Sequence, residues 1–140
     1  MPPARPSSPA ALRNRGPIAD IIQGILPDTG KILEIASGTG EHALYFAERF
    51  RHMLWQPSDG SEAAVEAIES WRATADLPNL LAPLRLDASA PEGWPEMDSI
   101  SAILCINMVH ISPWAATEGL MRESAKLLAP GEPLILYGPY

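Results

Sequence analysis

One short segment of the chain constrains the fold more than any other, because it joins an apolar run to a turn almost free of side chains. The segment reads Ile-Leu-Glu-Ile-Ala-Ser-Gly-Thr-Gly-Glu and occupies positions 32–41. The apolar run predicts a β-strand, the small residues predict a tight turn, and the pattern after Glu41 predicts a helix. Such a turn leaves bare backbone against which a ligand can lie. The segment therefore predicts a nucleotide-type cofactor site near residues 34–40.

Strand and helix patterns alternate along the rest of the chain. Apolar runs predict strands at 31–36, 52–56, 80–86, 99–108 and 134–137, and helical spacing predicts helices at 17–26, 41–50, 61–75 and 112–128. Pro83 interrupts the third predicted strand, and since proline cannot donate to a sheet ladder, that strand should lie at an edge. The alternation is typical of an α/β fold, a three-layer sandwich with helices on both faces of a parallel sheet. Ligands of such sheets bind at the carboxyl ends of the strands.

The length and charge of the chain limit its partners. Its 140 residues suffice for one domain, predicted at 12–140 after a flexible leader at 1–11 that is rich in proline, alanine and serine. The net charge of −7, without a cluster of lysine and arginine, argues against nucleic acid and anionic membranes as partners. The single cysteine, Cys105, excludes an intrachain disulfide and favours a cytoplasmic protein. His42 and His52 lack metal-ligand partners at useful spacing, so no metal site is predicted.

The glycine turn alone leaves two cofactor classes open. Gly38 and Gly40, followed by Ala43, match the loose dinucleotide pattern G-x-G-x-x-G/A. Asp59 follows Gly40 by 19 residues, close to the spacing of about 20 for an acidic residue that binds a ribose. Both an NAD-type domain and a methyl-donor site fit these residues.

Glu34 favours the methyl-donor site, because it places a carboxylate inside the end of the first strand. Burying a carboxylate costs several kcal/mol unless its oxygens find hydrogen-bond donors. The order apolar-apolar-acid-apolar-small-x-Gly-x-Gly at positions 32–40 resembles the signature of S-adenosylmethionine (SAM) methyltransferases with a Rossmann-like fold. The resemblance implies a parallel sheet in the strand order 3-2-1-4-5, with SAM as methyl donor and S-adenosylhomocysteine (SAH) as product.

Further motifs make the resemblance closer than the superfamily. The chain resembles the small family of methyltransferase-like proteins that includes methyltransferase-like 26, on motifs at 8–10, 13–14, 34–42, 55–59, 107–114 and 136–140. Two departures stand beside this resemblance. Ala36 replaces the first glycine of the usual loop, which an alanine tolerates if its φ is negative. Complete methyltransferases have seven strands with a final antiparallel hairpin, whereas the predicted strands of this chain end with the fifth, so the hairpin is lacking and the resemblance covers the N-terminal part only.

The resemblance implies roles for the residues around the glycine turn. Glu34 would orient the methionine amino end of the cofactor through the turn. The backbone that lies against the cofactor would belong to the small residues Ala36, Ser37, Gly38 and Gly40. Asn14 would close the pocket from the N-terminal side.

The resemblance also assigns residues after the later strands. Asp59 would bind both ribose hydroxyls, although with Glu62 it also fits a helix-capping pattern. Asp87 would accept from the adenine amino group and Ala88 would donate its backbone N–H, although an ordinary turn aspartate stays an alternative. Asn107 and Met108 would face the sulfonium and the methyl acceptor.

Three functional classes stay open at this point. The first is a SAM-dependent methyltransferase acting on an unidentified small-molecule acceptor, with Asn107 and His110 as candidate catalytic residues. The second is a SAM-binding or dimerising module without catalysis, because the C-terminal part of the family's length is missing. Whichever class applies, the exposed edge of the fifth strand predicts a homodimer. The third is a nicotinamide-dependent oxidoreductase. A structural role beside Ile111 and Trp114 is the alternative for His110.

Overall fold

The computed structural model describes residues 9–139 as helices and strands in alternation. The helices are α1 (Pro9–Ile22), α2 (Glu41–Arg49), α3 (Glu62–Thr74) and α4 (Trp114–Leu127). The strands are β1 (Lys31–Ile35), β2 (Leu54–Asp59), β3 (Leu84–Arg85), β4 (Ala102–Ile106) and β5 (Leu134–Tyr137). Within these residues, no helix is both long enough and apolar enough to cross a membrane.

The strands form one parallel sheet in the order β3-β2-β1-β4-β5, which confirms the predicted Rossmann-like α/β fold. The central strand β1 pairs Ile32 with Trp55 of β2 and with Ala102 of β4. Because all strands are parallel, their carboxyl ends meet at one edge of the sheet. The predicted turn at 36–40, Asp59 and Asn107 all follow strand ends at this edge.

Helices cover both faces of the sheet because the side chains of each strand alternate between the two faces. One face packs against α1 and α2, in a core that is built from Ile18, Ile22, Ile32, Phe46, Trp55 and Leu104. The other face packs against α4 and the loop that precedes β4, in a core that contains Leu33, Ile35, Ile103, Cys105 and Leu120. The helix predicted at 41–50 is present, and its apolar face buries Ala43, Phe46, Ala47 and Phe50.

The first helix begins earlier than the sequence predicted. Helicity starts at Pro9 and continues through Pro17, the first residue of the helix predicted at 17–26. Packing against α2 accounts for the difference: the Arg15 guanidinium lies 4.8 Å from the centre of the Tyr45 ring, and Arg49 forms an ion pair with Asp20 at 2.6 Å. Residues 1–8 of the predicted leader lie outside the described residues, while positions 9–11 belong to the helix.

Prolines shift the bounds of the two outer strands on the β3 side. The predicted strand at 80–86 is reduced to two residues, and Leu80 forms only an isolated bridge to Trp55. β3 is an edge strand, as Pro83 led us to expect. β2 extends past Pro57, to Asp59, beyond the predicted end at residue 56. Pro57 is tolerated because it falls between the Leu80 bridge and the first β2–β3 pair, where the ladder is interrupted.

The start of α4 also differs from the prediction and brings that helix close to the loop after β3. Pro113, not Ser112, is the residue before the first helical turn, so Ser112 belongs to the preceding loop. Further along, α4 presents Gly119 to the backbone of Ala88, and a Cβ on this glycine would overlap the Ala88 carbonyl oxygen. The absence of a side chain at position 119 therefore allows the 86–89 loop to lie directly against α4.

We expect Gly119→Ala to destabilise the protein by about 1–3 kcal/mol, because the new methyl group must push α4 and the Ala88 loop apart. Gly24→Ala is the matched control, since its Cβ meets only the Ile21 carbonyl at 3.8 Å. Urea unfolding, monitored by tryptophan fluorescence, measures the free energy of unfolding of both variants. Equal stability of the two variants would contradict this account of the packing.

Candidate functional site

The turn after β1 is built from backbone conformations that favour glycine. Gly38 has φ +62° and Gly40 has φ +91°. Ala36 has φ +56°, so the negative φ at which an alanine replaces the first glycine without strain is not adopted, and the alanine is held in a left-handed conformation that costs about 1–2 kcal/mol. A Cβ on Gly38 would meet no described atom within 4 Å, whereas one on Gly40 would lie 3.0 Å from the Ile68 Cα. Gly40 thus lets α2 approach α3, and Gly38 leaves open space above the turn.

Two serines attach this turn to the end of β2. The Ser37 N–H donates to the Ser58 carbonyl at 2.8 Å, and the Ser58 N–H donates to Ser37 Oγ at 3.1 Å. Ser58 Oγ donates to the Glu34 carbonyl at 2.6 Å. The turn therefore has a fixed position relative to the neighbouring strand.

The carboxylate of Asp59 links the turn to the start of α3. Its Oδ2 accepts the Gly38 N–H at 3.0 Å and its Oδ1 accepts the Ser61 N–H at 2.9 Å. The residue that caps α3 is Ser61, whose Oγ accepts the Ala64 N–H at 3.3 Å. The alternative in which Asp59 itself caps this helix is therefore wrong.

Glu34 lies inside the protein beneath the turn, and 1% of it is exposed. Its Oε1 accepts the Trp55 indole N–H at 3.1 Å, across the β1–β2 pair. Burial raises the pKa of Glu34 from 4.5 to about 7, and the Trp55 hydrogen bond only partly offsets this effect. The charge of Asp59 raises the pKa further. Glu34 is thus a buried carboxyl group that exchanges a proton near neutral pH.

A cavity of about 440 Å³, here called the glycine-turn cavity, opens above the carboxyl ends of β1, β2 and β4. It is lined by residues of the turn, the first turn of α2 and the loop after β4: Ala36, Ser37, Gly38, Thr39, His42, Asp59, Ile106, Asn107, Met108, Ile111 and Ser112. Five predicted cofactor residues besides Asp59 thus meet here, namely Ala36, Ser37, Gly38, Asn107 and Met108. Glu34 and Gly40 are buried and do not belong to this lining.

A second cavity of about 210 Å³, the Asp87 cavity, adjoins the first on the β3 side. The two cavities share Ala36, Asp59, Met108 and Ser112. The second is also lined by Asp87 and Ala88, together with Ile35, Gly60, Leu86, Ser89, Pro113 and Ala116. Hydrogen bonds from the Ser89 side chain and backbone, at 2.7 and 2.9 Å, lower the pKa of Asp87. Asp87 is therefore an ionised acceptor beside a mostly apolar slot.

A third cavity of about 490 Å³, the His110 cavity, adjoins the glycine-turn cavity on the β5 side. It is lined by Asn14 of α1 and by Asn107, together with His110, Ile111, Tyr137, Gly138 and Pro139. Asn107 has φ +55°, and its N–H donates to the Tyr137 carbonyl at 2.8 Å. Asn14, predicted at the cofactor pocket, lines this third cavity instead of the first two.

Several lining residues are absent from the site that the sequence predicts. Thr39 and His42 line the glycine-turn cavity, and their position in and just after the turn could have indicated them. Ser112 lines two cavities, but it was read as a helix cap because a Ser-Pro pair favours a helix start. Ile111, which is 74% exposed, borders the first and third cavities and has no signal in the sequence.

These features define an α/β domain of the Rossmann-like type with a ligand-sized cleft at the carboxyl ends of its strands. The chain belongs to the family described as "Protein of unknown function (DUF938)", whose model matches residues 5–140.

Solved methyltransferase structures share the fold at low sequence identity. Coclaurine N-methyltransferase bound to N-methylheliamine and SAH superposes with a TM-score of 0.69 at 18% identity, over 86% of this chain and 34% of that one. The glycopeptide N-methyltransferase MtfA complexed with SAM superposes with a TM-score of 0.73 at 18% identity. The match covers 86% of this chain and 48% of MtfA. A putative SAM-dependent methyltransferase from Methanococcus maripaludis superposes with a TM-score of 0.70 at 20% identity. The match covers 91% of this chain and 59% of that protein. The chain thus spans about a third to three fifths of the length of these proteins.

The buried Glu34 predicts a pH-dependent loss of stability that Glu34→Gln removes. Below pH 4.5 the carboxyl is protonated in both the folded and the unfolded state, and between pH 4.5 and about 7 only the unfolded state releases the proton. The free energy of unfolding of the wild type should therefore fall by about 3 kcal/mol relative to Glu34→Gln across this range. Urea titrations of both proteins at stepped pH measure the difference. A difference that is constant with pH would show that Glu34 ionises normally.

Proposed function

We propose that this chain binds SAM and forms the cofactor-binding part of a methyltransferase that acts on a small-molecule acceptor. The observation that carries the proposal is the Asp59 carboxylate at the end of β2, which accepts the Gly38 N–H at 3.0 Å beside a turn with open space above it. The finer resemblance to the family of methyltransferase-like 26 and a cytoplasmic location belong to the same proposal.

The nucleoside fits the donors and acceptors that surround the two adjoining cavities. Each Asp59 oxygen accepts one backbone N–H, and a carboxylate oxygen has room for a second hydrogen bond, so both oxygens can accept from ribose hydroxyls. Asp87 can accept from the adenine amino group, since its ionised carboxylate lines the next cavity beside the buried Ala88. Ile35, Leu86 and Met108 supply the apolar walls that a flat base requires.

The charge around the turn favours this cofactor over a nicotinamide dinucleotide. A pyrophosphate binds to free backbone N–H groups at the glycine turn. Here the Gly38 N–H already donates to a carboxylate, and a second negative charge beside Asp59 would be repelled. Among the described residues that line the glycine-turn and Asp87 cavities, none is lysine or arginine. These contacts suit a cofactor without phosphates and argue against the oxidoreductase alternative.

The third cavity supplies the residues for methyl transfer. SAM, when bound, supplies a methyl group that is already activated by its bond to a positively charged sulfur. Asn107 and Ile111 line both the glycine-turn cavity and the His110 cavity, so they border the path between cofactor and acceptor. Their role is to hold the acceptor in line and exclude water. His110 accepts the proton that the acceptor loses, and passes it to solvent, to which it is exposed.

Binding without turnover is the second candidate function. The chain spans 34% and 48% of two N-methyltransferases, which carry further residues beyond the matched part. A module that binds SAM without transferring its methyl group would show cofactor affinity but release no SAH with any acceptor.

A matched pair of glycine substitutions tests the cofactor site. Gly38 and Gly131 both have positive φ, and a Cβ on either would meet no described atom within 4 Å, so alanine strains both positions similarly. Only Gly38→Ala places a methyl group at the proposed cofactor. We expect calorimetry with SAH to show at least about tenfold weaker binding for Gly38→Ala and unchanged binding for Gly131→Ala.

NADH titrated under the same conditions distinguishes the alternatives. Saturable binding of SAH without binding of NADH supports the proposal. Binding of NADH in preference to SAH, or SAH binding that both glycine variants retain, would refute it.

We also propose that two chains pair through β5, the outer strand on the β4 side of the described sheet. The carbonyls of Pro133 and Tyr137 accept the N–H groups of Ile103 in β4 and of Asn107 just after it. The alternating groups of Leu134 and Leu136 therefore point to the open edge. An apolar edge with unpaired backbone groups is a template for strand pairing. The acidic surface does not oppose pairing at this edge, because β5 itself carries no charged side chain.

Sedimentation velocity over a micromolar concentration series tests this pairing. We expect a dimer for the wild type and for Leu136→Val, and a monomer for Leu136→Pro, because proline removes the outward N–H without touching the ladder to β4. Circular dichroism checks that the proline variant keeps its fold. A wild-type protein that stays monomeric would contradict the pairing.

A further inference from the structure

The His110 cavity differs in charge from the two cavities beside it. Within the described residues, its lining contains no aspartate, glutamate, lysine or arginine, whereas Asp59 and Asp87 line the other two. Its polar groups are the amides of Asn14 and Asn107, the imidazole of His110 and the phenol of Tyr137. The cavity is thus polar but uncharged when His110 is neutral.

Within the described part of the chain, the polar side chains of the lining make no hydrogen bonds that would compete with a ligand. No hydrogen bond between described residues uses the side chains of Asn14, Asn107 or His110. Asn107 is held in place by its backbone, whose N–H donates to the Tyr137 carbonyl at 2.8 Å. A carboxamide both donates and accepts, so two of them can satisfy a hydroxyl or a thiol without any counter-charge.

A charged ligand would fit this cavity poorly. The lining residues are half-exposed or exposed, so an ion would stay partly hydrated there, but it would find no counter-ion to replace the water that it loses. Ile111 is 74% exposed at the rim that the cavity shares with the cofactor side, so it offers an apolar surface to the body of the ligand. The size of the cavity, its uncharged polar lining and its apolar rim at Ile111 suit a small neutral compound with one protic group.

We propose that the His110 cavity binds the methyl acceptor and selects a small uncharged compound with a hydroxyl or thiol nucleophile, held between Asn14 and Asn107. The inference rests on the proposed function, because the cavity meets the cofactor side at Asn107 and Ile111. In the transfer, the bond from methyl carbon to sulfur breaks as a bond from carbon to the acceptor oxygen or sulfur forms. The acceptor proton leaves to His110, and SAH is released.

Three probes of the same shape and different charge test the selection. Benzyl alcohol, benzylamine as its ammonium ion, and benzoate are titrated by NMR into the full chain saturated with SAH. We expect benzyl alcohol to bind at least about tenfold more tightly than either ion. Equal or tighter binding of an ion, or no saturable binding of the alcohol, would overturn the inference.

A charge placed in the cavity should reverse the preference. Asn14→Asp adds a carboxylate to the lining. The affinity of the benzylamine ammonium ion, divided by that of benzyl alcohol, should therefore rise at least about tenfold from the wild type to this variant. Ile21→Asp adds the same charge at an exposed position of the same helix and should leave all three affinities unchanged. If Asn14→Asp behaves like Ile21→Asp, the probes bind elsewhere and the inference is overturned.

The SAH affinity of each sample separates two kinds of failure. If SAH does not bind, the proposed function fails and the inference fails with it. If SAH binds normally and the probes show no preference for the neutral compound, only the inference on the acceptor fails.

Discussion

The carboxylate of Asp59 holds together the parts of the candidate site that come from different elements. One oxygen accepts the Gly38 N–H of the turn after β1, and the other accepts the Ser61 N–H at the start of α3. Both N–H groups lie near the ends of elements, where backbone donors need a partner. The same contacts orient the carboxylate at the end of β2, where its remaining lone pairs meet the cavities. The arrangement therefore stabilises the loops and prepares an acceptor for ribose hydroxyls at once.

Glu34 and Ala36 show that this edge of the sheet is not arranged for stability alone. Glu34 is buried with its pKa raised to about 7, and Ala36 is held at φ +56°. Both features cost folding free energy, and both lie directly beneath or beside the glycine-turn cavity. Asn107, the other non-glycine residue with positive φ in the described chain, follows the neighbouring strand β4. Strain and buried charge concentrate where the proposed cofactor meets the protein.

The sequence predicted the fold well because its strongest signals are periodic and local. The alternation of apolar runs with helical spacing predicted a parallel sheet with helices on both faces, and the resemblance to SAM methyltransferases implied the order 3-2-1-4-5. The structure confirms both. Prolines caused the main errors: Pro17 is inside α1, Pro57 is inside β2, and Pro113 displaces the cap of α4. In each case tertiary packing or a gap in the ladder tolerates a residue that the local rules exclude. The placement of Asn14 in the His110 cavity depends on how α1 packs on α2, which no local pattern encodes.

The central claim is that a SAM-type nucleoside lies across the carboxyl ends of β1, β2 and β4. The most direct test is to follow the backbone amide NMR shifts while SAH is titrated into the protein. The account predicts saturable shifts at residues 36–40, 59–61, 87–89 and 107–108, with little change around Trp94 and Met97, which line a separate cavity near α4. The absence of saturable shifts, or shifts centred on that separate cavity, would contradict the account.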